Sequence, residues 1–94
     1  MTYRILIKEP AKKQIDRLDK SIRERMYEAI KRIASFPSIG KPLRRPLDGY
    51  WSFRMGDWRI IYEIHEKIIT IIVVAVGHRR EIYEAIRKIF DRIR

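Results

Sequence analysis

Arg54, Arg59, His78, Arg79 and Tyr83 are the side chains in this 94-residue sequence whose types and spacing suit work on a phosphate. The two first lie in the stretch from Tyr50 to Ile64, which reads as a β-hairpin turning on Gly56 and Asp57. Glycine at the first central position suits a type II′ turn. Such a turn sets Met55 opposite Trp58, Arg54 opposite Arg59, Phe53 opposite Ile60, Ser52 opposite Ile61 and Trp51 opposite Tyr62. Alternation then gathers Trp51, Phe53, Met55, Trp58, Ile60 and Tyr62 on one apolar face. Arg54 and Arg59 meet on the other face, where like charges destabilise the pair. A bound anion, a phosphate above all, would offset that repulsion. Splaying into solvent, or pairing with Glu63 or another acid, would do so too.

The second cluster spans Gly77 to Tyr83, between an apolar strand and a last helix, where a strand end offers polar side chains to a ligand. Cleaving RNA without a metal takes removal of the 2′-hydroxyl proton, stabilisation of charge at phosphorus, and a proton for the leaving 5′-oxygen. Guanidinium groups serve the second task, because each presents two parallel donors to phosphate oxygens. Acid–base work then falls to Tyr83 or His78. A tyrosine acting as base needs positive charge nearby, and Arg79 and Arg80 are its neighbours in the chain. Tyr83 is equally compatible with an ordinary core position beside Ile82 and Ile86. No serine–histidine–aspartate set, phosphate-cradling glycine loop or paired carboxylates offer another chemistry.

The elements that must position these groups follow in order. Thr2 to Lys8 reads as a short strand, with Tyr3, Ile5 and Ile7 on one face. Pro10 to Leu18 carries an amphipathic stripe of Ala11, Ile15 and Leu18. A second helix, capped by Asp19 or Ser21, runs to about Ser35 on Ile22, Met26, Ala29, Ile30 and Ile33. The short link makes the two an antiparallel helical hairpin. Phe36 to Leu47 is expected to be a loop, because three prolines and a glycine forbid regular structure, with Phe36, Ile39, Leu43 and Leu47 pinning it to the core. Lys41, Arg44 and Arg45 project from it and, with Arg80, suit contacts to a phosphate backbone. Beyond the hairpin, Glu66 and Lys67 turn the chain into an interior strand from Ile68 to Val76. Simple alternation puts Ile69, Ile71, Val73 and Ala75 on one face, and Ile72, Val74 and Val76 on the other. The segment from Arg80 to Arg94 has Ile82, Tyr83, Ile86, Ile89, Phe90 and Ile93 at helical spacing.

The chain is long enough for one domain over residues 1–94. It has no cysteine, and its two histidines, His65 and His78, lack metal-ligand spacing, so neither metal nor cofactor is expected. With no signal peptide and no apolar run of transmembrane length, a soluble cytoplasmic protein is expected. Twenty-two Lys and Arg against twelve Asp and Glu give a formal charge of +10, a field that draws polyanions: nucleic acid, the ribosome or an acidic protein. The lack of asparagine and cysteine, with abundant Ile, Glu, Lys and Arg, fits a thermophile.

The segments Phe53 to Ile64 and Val76 to Tyr83 carry a resemblance to the RelE/ParE superfamily of type II toxin–antitoxin toxins, to its RelE branch in particular, and the likeness extends over nearly the whole chain. It implies an α+β fold of order β-α-α-β-β-β-α, an antiparallel meander with a helical hairpin on one face and a C-terminal helix. It also implies a ribosome-dependent endoribonuclease that cuts mRNA in the A site without metal, held in check by an acidic RelB-like antitoxin. Carried over by position, Arg54, Arg59 and Arg79 match the family's basic catalytic residues and Tyr83 its tyrosine, while His78 stands at a basic position of the pattern. Ser52 replaces a lysine found in some members, which removes one positive charge. Two other readings compete: a ParE-like inhibitor of DNA gyrase without chemistry of its own, and a basic module that only occupies the ribosome. The pairing of Arg79 with Tyr83 favours the nuclease.

Overall fold

The computed structural model describes residues 2–93; the side chains of Phe90, Arg92 and Ile93 lie outside the described set, so the predicted places of Phe90 and Ile93 in the last apolar stripe do too. The chain runs β1 (Arg4–Ile7), α1 (Glu9–Asp16), α2 (Lys20–Ser35), β2 (Lys41–Pro42), β3 (Tyr50–Met55), β4 (Trp58–His65), β5 (Thr70–His78) and α3 (Ile82–Ile93). One five-stranded sheet has the order β1-β5-β4-β3-β2. Strands β3, β4 and β5 form the expected antiparallel meander. Strand β1 joins it parallel to β5, from Arg4 opposite Thr70 to Ile7 opposite Val73. Among the described residues no helix is long and apolar enough to cross a membrane.

The two faces of the sheet bury two clusters. Against one face lie Ala11 and Ile15 of α1 and Met26, Ala29, Ile30 and Ile33 of α2, packed on Ile60, Tyr62, Ile71, Val73 and Val76. Against the other lie Ile82 and Ile89 of α3, packed with Leu47 on Ile61, Val74 and Ala75. Each fully buried isoleucine contributes about 1.5–3 kcal/mol by leaving water, so the helical hairpin is the heavier half of the core. Asp19 occupies the N-cap of α2, but its side chain makes no capping hydrogen bond.

Three local expectations are corrected. The region after Phe36 is not wholly irregular: Pro37–Ile39 forms a 3₁₀ turn, and Lys41 and Pro42 pair with Ser52 and Trp51 as an edge strand. An edge tolerates proline because its missing N–H faces no neighbour. Phe36 is 67% exposed and anchors nothing, whereas Leu47 is buried and Leu43 packs beside it. Ile68 and Ile69 do not open β5: Glu66–Ile68 is another 3₁₀ turn, and Ile69 sits at φ 48°, so the strand begins at Thr70.

A further correction concerns the faces of β5. Ile61 pairs with Ala75 but Tyr62 pairs with Val73, which leaves Val74 as an extra residue, a β-bulge. Alternation is reset there. Val76 therefore joins Ile71 and Val73 under the helical hairpin, and Ala75 joins Val74 under α3, the reverse of simple alternation.

Candidate functional site

The hairpin folds in the predicted register, with Arg54 and Arg59 as direct partners and Gly56 at φ 60°. Asp57 does not share that positive φ, which makes the turn the type II′ form. Ile61, two residues beyond Arg59, is buried with α3, so both arginines stand on the α3 face. Arg54 is partly tethered over the turn, its Nε donating to the Gly56 carbonyl at 3.1 Å. Glu63, the acid considered as a partner, is engaged elsewhere with His65 Nε2 at 2.8 Å. Among the described residues neither arginine makes an ion pair.

Two clefts flank Arg59. One, of about 670 Å³, lies between the sheet and the start of α3 and brings together Ser52, Arg59, Arg79, Arg80 and Tyr83 over an apolar floor of Ile61, Ile82 and Ile86. The other, of about 520 Å³, lies toward β2 and is lined by Lys41, Arg44, Ser52, Arg54 and Arg59. Ser52 and Arg59 belong to both, so the two form one basic trough with Arg59 at the junction. Among the described residues no carboxylate lines either one. Tyr83 is 71% exposed, which excludes the core position considered for it. A larger depression of about 780 Å³ lies between α2 and β3, but it sets Glu24 and Glu28 among Arg25, Arg32 and Arg54, which it shares with the trough. With both signs present it offers a phosphate far less than the trough does.

Two predicted site residues are not in the trough. His78 lies on the opposite face: its ring meets Trp58 edge-on, with centroids 5.4 Å apart, and its Nε2 is 4.0 Å from Asp57 Oδ2. The bulge at Val74 is the reason, since two further steps of alternation from Val76 put His78 on the helical-hairpin side and Arg79 on the α3 side. Arg79 is held there by its backbone N–H, which donates to the Asp57 carbonyl at 2.6 Å. Arg45 also stands apart, its Nε 3.9 Å from Asp48 Oδ2, with both side chains largely exposed. An exposed pair at that distance is worth little.

The residue that sequence reasoning missed is Tyr62. It lies on the predicted apolar face, fully buried, but its hydroxyl also donates to the Pro37 carbonyl at 2.6 Å and accepts from the Gly40 N–H at 3.1 Å. Burial pushes its pKa up, and the Gly40 N–H opposes this in part. Gly40 is needed for closeness: a Cβ there would lie 2.6 Å from the Tyr62 hydroxyl and 2.7 Å from the Ser52 carbonyl oxygen. This clasp fixes the segment that delivers Lys41 and Arg44 to the trough. The signal was available, since a tyrosine on a core face carries a hydroxyl that must find partners.

Comparison with known proteins agrees with this architecture. Residues 5–83 match the family described as the ParE toxin of type II toxin–antitoxin systems, parDE. Toxin RelG of Mycobacterium tuberculosis is 44% identical over 45 residues, a match spanning 48% of this chain and 52% of RelG, about half of each. The toxin–antitoxin complex RelBE2 of M. tuberculosis contains a chain that superposes with a TM-score of 0.79 at 29% identity, covering 83% of this chain and 92% of that one. A mutant of Escherichia coli toxin RelE in the free state gives 0.80 at 20% identity over the whole of both chains, which speaks to fold. The α3-face trough thus sits on a toxin scaffold, and the chain belongs to the RelE/ParE superfamily of type II toxin–antitoxin toxins, on its RelE branch.

Proposed function

We propose that this toxin is a metal-independent endoribonuclease acting on mRNA in the ribosomal A site, and that an acidic RelB-like antitoxin silences it by covering the trough. The observation that carries this reading is the convergence of Arg59, Arg79 and Tyr83 in one cleft that no acid lines among the described residues. Tyr83 is the base that takes the 2′-hydroxyl proton. The freed 2′-oxygen attacks phosphorus, the bond to the 5′-oxygen breaks, and a cyclic phosphate remains on the upstream fragment. Arg54 and Arg59 hold the non-bridging oxygens, and Arg79 takes up the charge gained in the transition state. His78, occupied with Trp58 on the far face, has no part in the reaction. The departing oxygen takes its proton from water. Lys41, Arg44 and Arg80 carry flanking phosphates and contribute a salt-dependent share of affinity. Arg45 lies outside this group.

So few catalytic groups leave alignment to be supplied from outside, and in-line positioning is worth several kcal/mol of barrier. Purified toxin is expected to cut mRNA on translating ribosomes and to leave the same RNA nearly intact when free. Equal cutting of both would remove the ribosome from the proposal. A second reading rests on the ParE description of the matched family: inhibition of DNA gyrase. Gyrase inhibition without any RNA cleavage would establish that reading instead. For the antitoxin, the M. tuberculosis relative solved as a toxin–antitoxin complex is the supporting case. Addition of the cognate antitoxin should abolish cleavage and protect the α3 face from hydrogen exchange.

A further inference from the structure

The bulge in β5 decides which side chain reaches the trough, and one residue far away in sequence is bonded to it. Strand β1 covers the outer edge of β5 only as far as Val73, whose carbonyl accepts from the Lys8 N–H at 2.9 Å. Beyond Val73, among the described residues, that edge has no strand beside it, and α1 runs past it instead. Arg79 N–H points toward β4, to Asp57. Counting back by alternation, the N–H groups of His78 and Val76 point to the outer edge. There the Val76 N–H donates to Gln14 Oε1 at 3.1 Å, across sixty-two residues of sequence. Gln14 is the chain's one glutamine. It also lines a recess of about 240 Å³ with Val74 and Ala75 of the bulge and with Lys13, Arg17 and Lys88.

This bond exists in one register alone. Were Val74 not extra, alternation from Val73 would turn the Val76 N–H inward to β4 and leave Gln14 facing no donor there. The same shift would bring His78 to the trough and carry Arg79 to the Trp58 side. We infer that Gln14 is a positioning residue: its side-chain oxygen selects the bulged register of β5 and thereby presents Arg79, rather than His78, to the trough. The consequence for catalysis rests on the reading of the trough as the RNA site; the consequence for register does not.

The test uses Gln14→Leu, which keeps bulk but loses the acceptor, and Gln14→Glu, which keeps an acceptor of equal length beside Lys13, Arg17 and Lys88. In folded Gln14→Leu, amide exchange at Val76 should quicken about tenfold, the scale of one lost hydrogen bond. The nuclear Overhauser contact between the Trp58 and His78 rings should weaken, and cleavage of ribosome-bound mRNA should fall at least tenfold. Gln14→Glu should restore all three. Unchanged Val76 exchange and an unchanged ring contact in Gln14→Leu would overturn the inference, as would failure of Gln14→Glu to restore them. Should Gln14→Leu not fold, the unaltered protein still decides. Its Val76 amide must exchange as slowly as the amides of Ile60 and Ile61, and exchange at the rate of an unbonded edge amide would overturn the inference. If the register signals respond as stated but the unaltered toxin cuts no RNA, the nuclease reading fails while the role of Gln14 in register stands.

Discussion

Strand β4 has two partners, and the pairings on its two sides are set by different physics. With β3 the register is local: Gly56 at φ 60° closes the turn, and every pair from Met55–Trp58 to Tyr50–Glu63 follows from it. With β5 the register shifts at Ile61 and Tyr62, where Val74 is inserted, and no turn residue announces this. One side teaches that a two-residue turn propagates its geometry along a whole strand pair. The other teaches that a face assignment made by counting is valid only up to the next bulge. The trough draws one wall from each: Arg54 and Arg59 from the local pairing, Arg79 and Tyr83 from beyond the bulge.

The sharpest test of the locally determined wall is Arg59→Ala. Loss of a preorganised donor to transition-state charge costs about 10²–10³ in rate, and cleavage on ribosomes should fall by that much. The melting temperature should hold or rise slightly, because a like-charge cross-strand pair has been relieved. Activity within tenfold of the parent would mean that the juxtaposition does not serve the phosphate.

Next in size is Tyr62→Phe, which tests how the far edge of the hairpin holds its loop. It leaves the Pro37 carbonyl and the Gly40 N–H without their shared partner, at a cost of about 1–3 kcal/mol in a urea titration. The pH dependence has a definite sign. Burial raises the folded-state pKa of Tyr62 above its ordinary value of 10.0. Its contribution is therefore full below about pH 10 and is lost as pH rises through the folded value. The parent should lose stability in that alkaline range, and Tyr62→Phe should show a flatter profile there. Parallel profiles for the two proteins would contradict this.

Breaking the turn itself comes third. Gly56→Ala places a side chain at φ 60°, for which about 1–2 kcal/mol is expected. Chemical-shift mapping should find the loss concentrated in β3 and β4, with the Val74 bulge intact. A shift in the β5 register would show that the two pairings are not independent.

The smallest effect is predicted for His78→Ala. Removing the edge-on contact with Trp58 costs about 1 kcal/mol of stability, while cleavage should change by less than about threefold. A hundredfold loss would return His78 to the reaction and require β5 to adopt its unbulged register on the ribosome.

The meander, the helical hairpin and the last helix are all encoded in short-range pattern, because strand and helix periods and a glycine turn act over a few residues. Arg54, Arg59 and Tyr83 were within reach of that reasoning, the arginines through turn geometry and the tyrosine through its place in a known motif. What lay beyond it depends on contacts between segments distant in the chain. The parallel docking of β1 on β5, the clasp of Tyr62 on Pro37 and Gly40, and the bond from Gln14 to Val76 join residues more than twenty positions apart. A single inserted residue in a strand leaves no mark in composition or spacing, for Val74 reads like any valine of an apolar run. Its position is chosen by which backbone N–H groups find acceptors once the helices are packed, and so the departure of His78 from the trough, with Arg79 kept in it, was decided only by the tertiary structure.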